Sequence, residues 1–184
     1  MPGSTEADRQ RAARLAQTIV FTSQGTPFMF AGEEVFRDKK GIHNSYKSPD
    51  SINAIDWTLL EKNADQNEYY RQLIRLRKAH PAFRMTTAKD IARNLVFDKV
   101  DAPNLISYSL KNNANGDPEK EIKVIFNGSD KDAVVKIPKG TWRVIARDGH
   151  LNADGLTDAD GKPMEIKGGK VTVEPTSALI LFRK

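Results

Sequence analysis

Apolar positions recur at helical spacing in the first half of the chain and alternate with polar ones from Leu95 onward. Ala12, Leu15, Ala16, Ile19 and Ser23 fall at i, i+3, i+4, i+7 and i+11, with Arg9, Arg11 and Arg14 elsewhere on the cylinder. That spacing predicts an amphipathic helix of about five turns, ending near Gln24 and Gly25. Thr5 and Asp8 have the T-x-x-D spacing of a helix start, and Glu6 and Asp8 sit near the positive end of its dipole. Next comes Phe28-Met29-Phe30-Ala31, a short apolar run closed by Gly32. This is the pattern of a strand buried on both faces. A second helix is predicted over residues 58–79, with Tyr69, Leu73, Leu76 and His80 on one stripe and Tyr70 and Ile74 widening it. Pro81 ends it, because the residue before a proline is pushed out of the helical region. A short helix is expected at residues 88–93.

The alternating half predicts strands at residues 95–99, 105–110, 122–126, 133–137, 142–146, 164–166, 170–173 and 178–182. Turn clusters such as Asn127-Gly128-Ser129 and Asp148-Gly149 separate them. Short strands at close, even spacing predict an antiparallel sandwich. The chain therefore divides into helix-strand-helix up to Phe83 and an all-β piece after it. A piece with one apparent core strand cannot close a sheet or bury its own faces. Residues 1–83 are accordingly expected to be the tail end of something larger.

Composition narrows the chemistry. An apolar fraction of 39% beside 29% charged residues is that of a globular chain with a core. No run approaches the ~20 apolar residues of a membrane helix. The absence of cysteine removes disulfides, thiol nucleophiles and thiolate metal sites. The net charge of +5 is spread out, with no basic block interleaved with aromatics, so no nucleic-acid partner is expected. The first ten residues, MPGSTEADRQ, lack the layout of a signal peptide.

Three stretches carry a family resemblance. Gly25-Thr26-Pro27-Phe28-Met29-Phe30-Ala31-Gly32-Glu33-Glu34 resembles the last barrel strand of the α-amylase superfamily (glycoside hydrolase family 13). Leu76-Arg77-Lys78-Ala79-His80-Pro81-Ala82-Phe83 resembles the end of its last barrel helix. N-S-Y-x-x-P-D-x-x-N-x-x-D-W, from Asn44 to Trp57, resembles the type I pullulanases, which cleave α-1,6 links in pullulan and branched starch fragments. The resemblance implies an α/β plus all-β chain. Residues 1–83 would be the C-terminal part of a (β/α)8 TIM barrel (seventh helix, eighth strand, substrate-side loop, eighth helix), and residues 84–184 a C-terminal antiparallel β-sandwich. It also implies retaining glycoside hydrolysis, a secreted, cell-surface or periplasmic bacterial enzyme, and an α-glucan partner; no cofactor is expected, and no metal-binding residue in this chain. The family's catalytic carboxylates, at the ends of the fourth, fifth and seventh strands, would lie before residue 1, so no catalytic residue is expected here and the chain alone should be inactive. An isoamylase or glycogen-debranching enzyme is the rival within the class; a stand-alone glucan-binding sandwich is the rival outside it.

The acidic residues present do not supply the chemistry. A retaining pair needs carboxyl groups about 5–5.5 Å apart across the sugar, whereas Glu33 and Glu34, if they continue a strand, point to opposite faces. Glu33 is expected to support the cleft by pairing with a base or a backbone amide. Asn44 and Tyr46, read alone, are a turn cap and a packed ring; the resemblance makes them substrate-binding candidates, amide and ring suiting sugar hydroxyls and a pyranose face. Asp50, Asn53 and Asp56 have turn chemistry and are expected to hold the loop, with Trp57 as its anchor. His43, Phe36, Arg37 and Asp38 read as ordinary loop residues. Asp158-Ala159-Asp160-Gly161 fails as a calcium loop, because Leu156 and Lys167 occupy the outer ligand positions. Asn127-Gly128-Ser129 is a formal glycosylation triplet that reads more simply as a turn. In isolation, exposed apolar barrel surface would favour dimerisation.

Overall fold

The computed structural model describes residues 4–184. Five helices precede seven strands. Helix α1, Glu6–Thr22, starts with a reciprocal cap: Asp8 N donates to Thr5 Oγ1 at 3.1 Å, and Thr5 N donates to Asp8 Oδ2 at 2.9 Å. Its buried residues are Leu15, Thr18, Phe21 and Thr22, a stripe rotated from the expected one, and Ile19 is 37% exposed. The rotation is affordable because the inward hydroxyls are satisfied. Thr18 Oγ1 donates to Arg14 O and lies 2.6 Å from Tyr69 Oη, and Thr22 Oγ1 donates to Thr18 O.

The run expected to be a buried strand forms no strand, and Phe28 and Phe30 are 79% and 49% exposed. A strand buried on two faces needs ladder partners, and among the described residues none lies beside it. The next helices are α2 (Asp50–Asn53), α3 (Leu59–Lys62) and α4 (Ala64–Ala79). The helix expected over residues 58–79 is broken at Asn63, whose Nδ2 leaves the helical path and donates to buried Val35 O at 2.9 Å. Tyr69, Tyr70, Leu73 and Leu76 are buried along α4, whereas Ile74 is 40% exposed. Helix α5, Ala88–Asn94, is capped by Thr87.

The strands are β1 (Leu95–Phe97), β2 (Leu105–Lys111), β3 (Glu121–Asn127), β4 (Ala133–Arg147), β5 (His150–Leu151), β6 (Glu165–Val173) and β7 (Ser177–Arg183). They form one antiparallel sheet in the order β1-β2-β3-β7-β4-β5, with β6 pairing the first part of β4 on the same side as β5, opposite β7. Two pairs of expected strands are fused, because β4 and β6 run through the intervening residues as a bent ribbon. Their register slips between Ile137 and Thr141. At this crease Gly168 is obligatory, since a Cβ there would stand 1.9 Å from Pro138 O. The bend lays Val135, Ile137, Val171 and Val173 over Leu105, Ile125, Leu179 and Leu181, with fully buried Trp142 in the same core. The sandwich is thus one sheet folded on itself.

The opposite face carries the helices. Leu15, Leu76, Ala82, Phe83 and Met85 pack with Tyr108, Leu110, Ile122, Val124, Phe126, Ile180 and Phe182 in a single core. This core crosses the boundary expected at residue 83. Polar ties follow it. Asp117, 2% exposed, accepts from Ala82 N at 3.1 Å and Glu119 N at 2.9 Å and meets His80 Nδ1 at 3.1 Å. Arg77 donates to Phe21 O and Ser23 O, and Tyr108 Oη donates to Thr22 O, so side chains satisfy the last carbonyls of α1. Burial draws the Arg77 guanidinium down from its usual range. On the other face Lys123, 1% exposed, donates to Asp98 and to Ser109 Oγ. Burial lowers its affinity for a proton and Asp98 opposes that.

If one core spans both pieces, Phe83→Ala lowers the unfolding free energy by about 3–5 kcal/mol. Urea melts followed by tryptophan fluorescence and by circular dichroism would then shift together as one transition. A loss confined to the helical signal would mean that the two pieces unfold separately.

Candidate functional site

Residues 30–58 form the polar loop that holds most of the candidate residues. It starts at Gly32, in the left-handed region at φ 98°, where a Cβ would come 2.6 Å from Arg37 Cδ. Backbone N–H groups of Val35 and Arg37 return to Gly32 O at 3.2 and 2.8 Å, and a single 3-10 turn, Glu33–Val35, results. The two acidic side chains diverge. Glu33 Oε2 accepts from Gln17 Nε2 at 2.7 Å, and Glu34 Oε2 accepts from Gly32 N at 2.9 Å. Burial raises the Glu33 carboxyl above its usual range, and the neighbouring Glu34 adds to the effect. Tyr70 is raised too, chiefly by its own burial and further by Glu33 and Glu34.

The residues expected to hold the loop have distinct environments. Asn53 is its hub: Nδ2 donates to Ser45 O and to Ser48 O, both at 2.7 Å, and Oδ1 accepts from Lys39 Nζ at 2.7 Å. Asp56 Oδ1 accepts from Thr58 N at 3.0 Å and Oγ1 at 2.6 Å, which holds its carboxyl below the usual range. Asp50 opens α2 and is exposed. Trp57 does not pack as an anchor. The residue is 61% exposed, and the loop is closed by polar contacts instead.

The two substrate candidates share one turn. Asn44 is exposed and its Oδ1 faces Tyr46 N at 3.5 Å. Tyr46 is 76% exposed, with Lys47 Nζ 5.4 Å from its ring centre. Glu33 lies apart from them, against α1. Sequence reasoning missed Arg37 and Lys39, which lie 5.6 and 5.8 Å from the Phe30 ring centre. Arg37 also donates to Ala31 O and Asn53 O. The available signal was two cations shortly after an aromatic run and a glycine.

Both decoys have local explanations. Asp158 Oδ1 accepts from Asp160 N and Lys162 N, each at 2.9 Å, which is turn chemistry. Asn127 is 1% exposed and its Nδ2 is spent on Lys131 O, Val173 O and Glu174 O, so it cannot receive a glycan in the folded chain.

Comparison with known proteins matches this arrangement. The sequence model of the pullulanase all-beta domain matches residues 91–150. Pullulanase of Bacillus subtilis strain 168 is 40% identical over 183 residues, which is 99% of this chain and 24% of that one. A solved pullulanase from Bacillus acidopullulyticus superposes with a TM-score of 0.90 at 39% identity, covering 99% of this chain and 21% of its own. The type I pullulanase of Bacillus subtilis strain 168, solved with maltose, gives 0.86 at 36% identity, covering 99% and 24%. Nearly the whole chain is thus similar to these pullulanases, and it spans about a quarter of the length of the relatives it matches.

The raised Glu33 carboxyl sets a pH dependence. A folded-state value above the unfolded one favours the protonated fold, so this contribution is lost as pH rises through the folded value. Glu33→Gln, which keeps an acceptor for Gln17, is expected to melt about 1–3 °C above the parent at pH 7. The gap should close towards pH 4, as thermal melts across that window would record.

Proposed function

We propose that this chain is the portion of a pullulanase-like hydrolase that completes the catalytic barrel and lines its glucan cleft, the whole enzyme cleaving α-1,6 links in pullulan and branched starch fragments. The observation that carries this reading is the apolar run at residues 28–31, which lies outside any strand and between two helices, with Phe28 79% and Phe30 49% exposed. Its exposed apolar rings would suit burial between neighbouring strands, as in the eighth strand of a (β/α)8 barrel. Helices α1 and α4 would be the seventh and eighth barrel helices. The sheet, fastened to them by the shared core, would brace the barrel. Glu33 and Glu34, each tied to a structural partner, are left out of catalysis, which would rest on carboxylates outside this chain.

Asn44 and Tyr46 would meet the glucan. Support comes from their exposure on one turn and from the maltose in the solved type I relative. The stand-alone glucan-binding module fits less well, since Trp142 is fully buried and Tyr108 is 4% exposed, leaving neither ring free to stack on a sugar. In isolation the apolar surface at Phe28 and Phe30 would drive self-association, seen as concentration-dependent sedimentation.

The test is a chimera in which this chain replaces the matching segment of Bacillus subtilis pullulanase. A folded chimera should release reducing ends from pullulan, and the 184-residue chain alone should release none. Tyr46→Ala or Asn44→Ala in the chimera should lower kcat/KM about tenfold, equivalent to about 1.4 kcal/mol. A folded but inactive chimera would sink the reading, and unchanged constants would remove both residues from the cleft.

A further inference from the structure

We propose that Arg37, Lys39 and Asn53 form a clasp that fixes the turn bearing Tyr46, and so act as positioning residues for the glucan; this rests on the reading of the loop as cleft-lining. Residues 36–49 contain no helix or strand, and a structureless segment of that length keeps one shape only if side chains tie it down. The ties converge on Asn53. Its two N–H bonds go to separate carbonyls, Ser45 O and Ser48 O, which bracket Tyr46. Its side-chain oxygen takes Lys39 Nζ, and its main-chain oxygen takes Arg37. Only a carboxamide can donate twice and accept once at this place.

The other end of the clasp is the apolar run. Arg37 and Lys39 both lie over the Phe30 ring, and Arg37 reaches back to Ala31 O at 3.2 Å. Gly32 leaves the space that the Arg37 stem fills. The guanidinium thus joins residues 30–31 to residue 53, and residue 53 joins both to the turn at residues 45–48. The exposed Tyr46 ring is contacted by Lys47, so its place is set by the backbone on either side of it. A shift of that backbone would move the ring relative to any sugar bound on the barrel side.

Asn53→Asp separates the clasp from bulk and charge effects. It keeps the size and the Lys39 partner, but replaces two donors by a carboxylate facing two carbonyl oxygens. In the 184-residue chain, well below its melting temperature, trypsin cleavage after Lys47 (identified by mass) should speed up about tenfold. Arg37→Gln should do the same, and Arg37→Lys less. In the chimera, Asn53→Asp should raise KM for pullulan about tenfold with kcat within twofold, whereas a loss of folded enzyme would lower only the maximal rate. Unchanged cleavage or unchanged KM for Asn53→Asp overturns the clasp. If Tyr46→Ala leaves KM unchanged while Asn53→Asp still speeds cleavage, the cleft-lining reading fails and the positioning role falls with it.

Discussion

Strands β3 and β7 carry apolar side chains in both directions, and a strand of that kind is stable only with a layer on either side. Ile122, Val124, Phe126, Ile180 and Phe182 require one cover, and Ile125, Leu179 and Leu181 require another. The chain meets the second need from within the sheet, by bending the β4–β6 ribbon over it at the Gly168 crease. It meets the first with helices, bringing in Leu15, Leu76 and Phe83. The all-β portion is therefore not self-sufficient: one of its two faces is finished by residues that precede it.

That dependence makes the helical layer a rigid mount for the loop. Arg77 and Tyr108 take the carbonyls at the end of α1, and Asp117 gathers His80, Ala82 and Glu119 at the end of α4. Ion pairs from Arg11 to Asp148 and from Arg75 to Asp154 tie the same helices to the turns around β5. These exposed pairs contribute little energy individually. The buried bonds fix geometry, because each would leave an unsatisfied group if it slipped. The loop at residues 30–58 springs from this frame and is held within itself by Asn53, Arg37 and Lys39.

Local rules made much of this legible. The Thr5 cap, the stop at Pro81, the buried stripe of α4 and most strands follow from spacing alone, and the loop motif led to the family. Non-local matters were hidden. The stripe of α1 turned because Thr18 found Tyr69, 51 positions away. Asn63 broke a helix to reach Val35. Fused β4 and β6 look like four strands because the crease interrupts their alternation. Phe28 and Phe30 read as a buried strand because the pattern records what a residue prefers, while its surroundings depend on which partners stand beside it. Arg37 read as an ordinary loop charge, and Lys39 drew no reading, because nothing in their neighbours announces a ring beneath them.

Lys123 places an ammonium in a strand that is buried at every position, opposite Ser109 on β2 and Leu181 on β7. Slide β3 by one position and the side chain turns to the helix-facing side, away from Asp98 and Ser109 and in among Tyr108, Ile180 and Phe182. An unpaired charge buried there costs several kcal/mol, and a slip of one residue reverses every side chain of the strand. The lysine therefore acts as a proofreading mark in assembly. Alignments off by one, which greasy strands would otherwise accept, leave it without its partner, and the sheet recognises its own neighbours by charge as well as by shape.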